Sequence, residues 1–442
     1  MTTPTQPGEQ ASELLAGLTV PDPKDEDTGG MMHFKAALVE RCGVEMGFEH
    51  FRTVVGDASM SMRRKPLNSW RDAGLRANVA FHELWPGGRT YRMPEPVVVG
   101  EGNHQAYDCI DRSAYLTCVP RATVRGRSAF VVTDEAALFD CEGDEIHRFR
   151  DRFHRDPAVF WAEHDEFFVI EGAAAEPLRV IEAISLVGTF SDNFGHWFLH
   201  HFPKYVTALM AGLPPELPVI IDDHLYPSQF EMLQLVRPPG APLISLPLGA
   251  VVHAERLWLS PAPAFLPVFA DDDGTDPLAW RHIAPEPRHF AVLMKEFLRR
   301  INPLIAAPTG KDRVFLSRGQ RLRRRLINRE EIESIADECG YVVALPEDLS
   351  IIEQIRLTHH ARHIVAPEGS ALMLGFLAQA GAKVHILNHR FTLPLNIYSE
   401  IFKALDVDCV ILTGSPAGED QPYQHWADYR IDGAMFRELV IG

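Results

Sequence analysis

Residues 314–387 alternate short apolar runs with helix-patterned stretches, and no other feature of this 442-residue chain restricts its fold so sharply. Val314-Phe315-Leu316 reads as a buried strand, followed by the loop Ser317-Arg318-Gly319-Gln320 and an arginine cluster running to Arg329. Asn328 opens a helix, with Glu331 as its capping-box partner and Ile332, Ile335, Ala336 and Cys339 on one apolar face; Gly340 closes it. Residues 341–345 form a second strand with the exit loop Pro346-Glu347, and Ser350 with Glu353 caps the next helix. Ile364-Val365-Ala366 is a third strand, Pro367-Glu368-Gly369-Ser370 its loop, 371–380 a helix stopped by Gly381, and 384–387 a fourth strand. Such alternation demands an α/β fold with a parallel sheet and right-handed crossovers, so the exit loops line one edge, where ligands of such sheets bind.

Two features of that edge suit a phosphate. Gly369, Ser370 and Ala371 open a helix, whose first N–H groups attract anions. Arg318 and Arg324 bring guanidinium forks that match phosphate oxygens. Arginine runs are often solvated surface, but the chain carries a net charge of −17, so a basic cluster at a strand exit stands out. Glu347 or Glu353 could accept hydrogen bonds from ribose hydroxyls. Glu353 serves equally well as the capping partner of Ser350.

The pieces Val314 to Arg318, Arg324 to Asn328 with Glu331, Gly340 to Val343, Pro346-Glu347, Leu349-Ser350, Glu353-Gln354 and Ile364 to Leu372 together resemble the C-terminal half of glycosyltransferase family 61. That family includes bacterial capsular-polysaccharide enzymes and eukaryotic O-linked N-acetylglucosaminyl and xylosyl transferases. Upstream, Ser191 to Phe198 followed by Phe202 to Tyr205 is similar to the family's asparagine-to-His-Trp segment. Residues 218–222 and 255–260, and the hairpin of 122–126 with 131–133, extend the likeness to roughly residues 119–387. Two positions depart from it: Glu368 stands where the family usually has histidine, and Arg329 where it usually has an acid. The resemblance implies a GT-B-like fold, two Rossmann-like lobes facing across a cleft with an N-terminal extension. It also implies an inverting, metal-independent transferase that uses a nucleotide sugar, a UDP-sugar being the first expectation, and a glycan acceptor. No cofactor is required on this reading.

Composition agrees with such an enzyme without selecting it. The acidic balance argues against nucleic acid as a partner, because neutralising phosphates takes a broad basic face. No apolar run approaches the roughly 18 residues that span a bilayer, and residues 1–30 show no secretory signal, so the chain is expected to be cytoplasmic, with peripheral membrane association left open. Cys42, Cys109, Cys118, Cys141, Cys339 and Cys409 lack metal-type spacing and read as reduced thiols. The expected organisation is a disordered acidic tail (1–30), an N-terminal extension of unread role (31–118), an acceptor-side lobe (119–285), a nucleotide-sugar lobe (286–412) and a tail packing back on the first lobe (413–442).

Sugar transfer needs a diphosphate site, a base for the acceptor hydroxyl and a cleft that excludes water. His196 is the candidate base, since imidazole titrates near neutrality and its Ser-Asp-Asn-Phe-Gly-His-Trp segment sets polar residues among aromatic ones. Asp192, four residues earlier, would share its face if the segment were helical. Asn193, Trp197, Asp222 and Asp223 complete the acceptor side, the last two also serving as a second choice of base. A metal is not expected: His200 and His201 lack companion ligands, and Asp271-Asp272-Asp273 sits in a Pro- and Asp-rich connector rather than at a strand end. A nucleotide-sugar epimerase and a non-catalytic binding subunit of an assembly complex remain the alternatives.

Overall fold

The computed structural model describes residues 28–57, 60–76, 81–102, 105–140, 153, 156–163, 166–171, 177–263, 286–319, 324–389, 395–417 and 427–441. Two large sheets organise this mixed α/β chain. In the C-terminal sheet the strands Arg313–Leu316, Val342–Ala344, His363–Pro367, Lys383–His389 and Asp408–Ala417 run parallel, each joined to the next through a helical crossover. Val314, Phe315, Ile364, Val365 and Ala366 are fully buried, as central strands covered on both faces must be. In space the strand order is second, first, third, fourth, fifth. The order therefore reverses between Arg313–Leu316 and His363–Pro367, and the crevice of a doubly wound sheet opens beyond the carboxyl ends of such a pair.

The N-terminal sheet has its own parallel block, with Leu243–Leu246, Val219–Asp222, Leu178–Ser185 and Val251–Leu259 side by side. Antiparallel to the last lies Ala114–Arg125, which makes a hairpin with Val131–Val132. Between Leu178–Ser185 and Val219–Asp222 the chain forms the helical run Phe194–His196, Trp197–His201 and Phe202–Met210, whose middle turn is π-helical. One apolar cluster continues through both sheets, from Trp197, Phe198 and Phe202 through Phe290 and Phe297 to Phe376 and Phe402.

The N-terminal extension has a visible structural role. Its strands Ser61–Ser69 and Phe81–Trp85 join the first sheet, while Val98–Val99 adds to the second beside Asp408–Ala417. Asn396 fastens the intervening chain by donating from Nδ2 to the carbonyls of Pro94 (2.7 Å) and Gln105 (3.2 Å).

The sequence-based reading differs from the structure in two elements. The C-terminal segment, expected on the first lobe, packs on the second sheet instead: Asp428–Arg430 pairs antiparallel with Asp408–Ala417, and the helix Gly433–Ile441 covers Arg329–Glu338. Tyr429, Phe436 and Val440 bury against Phe315, Ile332 and Ala336, which supplies the driving force. The helix predicted over 371–380 is a 3₁₀ helix, Ser370–Leu377, apolar on nearly every side and held in the core by its surroundings rather than by one amphipathic face. Cys42, Cys109, Cys118, Cys339 and Cys409 are free thiols, and Cys141, the 271–273 acidic triplet and residues 1–27 lie outside the described residues. Among the described residues no helix is long and apolar enough to cross a membrane.

Candidate active site

Two arginines that follow Arg313–Leu316, Arg318 and Arg324, meet the exit loop of His363–Pro367. Arg318 donates from Nη1 to the carbonyls of Glu368 (3.1 Å) and Arg324 (3.4 Å). Its guanidinium lies flat against Gly369, where an added Cβ would stand 3.1–3.3 Å from Cζ, Nη1 and Nε. Gly369 also has φ +148, a conformation L side chains rarely adopt, so both its backbone and its contact call for glycine. Arg324 holds left-handed backbone (φ +55) and pairs through Nη1 with the buried Glu368 carboxylate. That charge holds the Arg324 guanidinium even more firmly protonated than usual. Arg329 donates to the Arg318 carbonyl (3.2 Å) and so braces the loop from behind.

The remaining loop residues divide between this rim and the scaffold. Arg325 faces away, its N, Nε and Nη2 all donating to Asp428 (2.7, 2.9 and 2.6 Å). Arg321 and Arg323 lie outside the described residues. Asn328 is buried and staples the C-terminal segment, donating to the Ile431 carbonyl (2.8 Å) and to Glu331 (3.0 Å) and accepting from the Ile431 N–H (3.2 Å). Glu347 comes to the loop, its carboxylate 3.3 Å from the position a Cβ on Gly319 would take. Glu353 is the capping partner of Ser350, accepting from its N–H (2.9 Å) and hydroxyl (2.6 Å). Ser370 and Ala371 are half-buried at the start of the 3₁₀ helix.

The first sheet meets this rim where the Ser370 hydroxyl donates to Asn193 Oδ1 (3.4 Å). Asn193 caps the Phe194 helix, accepting from the N–H groups of Gly195 (2.8 Å) and His196 (3.3 Å). His196 is half-buried, stacks on Phe190 (centroids 5.5 Å apart) and places Nδ1 3.4 Å from His200 Nδ1. Burial pushes its pKa down to about 4, with Asp192 opposing and the Arg324 charge reinforcing the shift, so the imidazole is neutral at physiological pH. The appearance of Arg324 in that balance ties the two sheets electrostatically.

Asp192 precedes the helix, in a turn, and its carboxylate faces His224 Nε2 (3.5 Å) rather than the imidazole of His196. Desolvation would raise its pKa, but the hydrogen bond and charge of His224 leave it lowered. Trp197 is fully buried against His201 and presents no surface to a ligand in this structure. Asp222 is buried too: it accepts from Ser191 Oγ (2.6 Å), Arg127 N (2.6 Å) and Gly188 N (3.1 Å), gathering the loops at the sheet's carboxyl edge. Burial raises it to about 6 despite these donors. Asp223 is exposed, 3.9 Å from Arg127 and 3.8 Å from His224.

Sequence reasoning missed His224 and Tyr398. His224 directly follows the Asp222-Asp223 pair, which could have drawn notice. Tyr398 feels the charges of Glu368 and Arg324, and no local pattern announces it. A separate cavity of about 720 Å³ lies at the amino-terminal end of the first sheet's parallel strands. Its Arg63 and Arg121 are paired with Glu171 and Asp134, and it is remote from this chemistry in the fold.

The family model described as glycosyltransferase 61 matches residues 194–385, from the Phe194 helix to the strand after Gly369. No curated protein matches the chain. Over that span the chain is similar to the family, and the activity the match suggests is transfer of a sugar from a donor to an acceptor.

Proposed function

We propose that the protein transfers a sugar from a nucleotide sugar, a UDP-sugar first, to a hydroxyl of a saccharide or glycoconjugate, with inversion, in cytoplasmic glycan or polysaccharide synthesis. The two sheets act as the lobes of a GT-B-like enzyme. One observation carries this reading: Arg318, Arg324 and Gly369 converge at the reversal point of the second sheet, where Ser370 bonds Asn193 of the first sheet and the Arg324 charge reaches His196. The donor diphosphate lies on the two guanidinium groups and the N–H groups opening the Ser370 helix, which stabilise the charge left on the departing phosphate. His196 takes the acceptor hydroxyl's proton. The freed oxygen pair attacks the anomeric carbon opposite the diphosphate, which leaves with the bonding pair. A donor's negative charge beside His196 raises its pKa toward the working range of a base. Charge neutralisation comes from the arginines on this reading, so a chelator leaves turnover intact.

A thermal-shift screen over nucleoside diphosphates and their sugars, followed by assay of diphosphate release, tests it. Stabilisation by one diphosphate, lost in Arg318→Ala, with acceptor-dependent release is expected. Conversion of the donor without an acceptor would identify an epimerase, and binding without release a binding subunit.

A further inference from the structure

Glu368 places a buried carboxylate where the proposed donor site needs open positive charge. Its side chain pairs with Arg324, its carbonyl accepts from Arg318, and the next residue is the glycine on which Arg318 rests. Nearby arginines are likewise matched: Arg325 with Asp428, and Arg329 with Glu333 at 3.6 Å. Arg318 rests on Gly369, while the Arg324 guanidinium is held by the Glu368 carboxylate. A diphosphate placed at this rim and the Glu368 carboxylate are two anions for the same Arg324 guanidinium.

We propose that Glu368 is an internal competitor for the donor's phosphate: its carboxylate occupies Arg324 when the site is empty, and an incoming diphosphate takes Arg324 from it. This rests on the assignment of the diphosphate to that rim. Arg324 then alternates between two anions. When the sugar has been transferred, the carboxylate is on hand to reclaim Arg324 and expel the nucleotide. Donor affinity is traded for product release.

Calorimetric titration with inorganic pyrophosphate tests this on the full chain. Glu368→Gln keeps the side chain's shape and removes its charge; it should bind pyrophosphate about ten-fold tighter or more, while Arg318→Ala binds correspondingly more weakly. Glu368→Ala, which leaves no polar group needing a partner, is the second variant should the amide disturb folding, and it should shift affinity in the same direction. Unchanged or weaker binding in both Glu368 variants, with Arg318→Ala still impaired, would overturn the competition and leave the rim assignment standing. If Arg318→Ala binds like the parent, the rim assignment falls and takes this proposal with it.

Discussion

Single residues at the rim are set by contacts that allow little substitution. Gly369→Ala would add a methyl group against the Arg318 guanidinium at a φ that alanine avoids. Strain of about 1–3 kcal/mol is expected, read as a lower Tm, together with weaker nucleotide binding as Arg318 is pushed off its seat. His196→Ala should lower kcat by on the order of 10²–10⁴ while leaving nucleotide binding close to normal, a split that rapid-mixing or steady-state kinetics resolves. Glycine before a helix and arginine after a strand were readable from sequence because each answers a local requirement. Trp197 was not: an aromatic residue beside His196 suggests an acceptor platform, but the π turn over Trp197–His201 directs the indole into the core. Asn328 likewise precedes its helix as expected, but its side chain makes no cap there and spends its amide on Ile431, a partner 103 positions away that no local pattern predicts.

At the scale of elements, the strands of 314–387 were legible because they are continuous apolar runs closed by glycines and capping pairs. Ser61–Ser69 was not, since it carries Arg63, Arg64 and a buried Lys65 and mixes exposed, half-buried and buried positions without clean alternation. Its place is set by register against Glu166–Glu171, a long-range pairing. The attachment of the extension to the second sheet depends on Asn396, whose amide serves two carbonyls. Asn396→Ala should cost about 1–3 kcal/mol, measured by chemical unfolding, and proteolysis around residues 94–105 should accelerate in the same variant. Full resistance to protease there would mean that Val98–Val99 holds without the amide.

Across the whole molecule, buried imidazoles make stability depend on pH. Burial lowers His196 to about 4, His201 to about 3, His289 to about 4 and His385 to about 4. Unfolded, each returns to about 6.5. Between these limits the unfolded chain binds more protons, so stability is complete above about pH 6.5 and is lost as pH falls toward 4. Asp222, raised to about 6, has the opposite sign: its contribution is present below its unfolded pKa and is lost as pH rises through 6. Asp156 and Glu286 are raised as well, but His200, His253, His359 and His363 are lowered, so the histidines outnumber the carboxyls; a Tm that declines from pH 7 to 4.5 is expected, and a flat profile would contradict the neutral state of these histidines. The extension that crosses from one sheet to the other has a practical corollary. Its Val98–Val99 strand supplies an edge to the second sheet from outside that sheet's own stretch of sequence. A chimera that grafts residues 286–441 onto a foreign partner would inherit a missing border, and would have to carry residues 94–105 along to be whole.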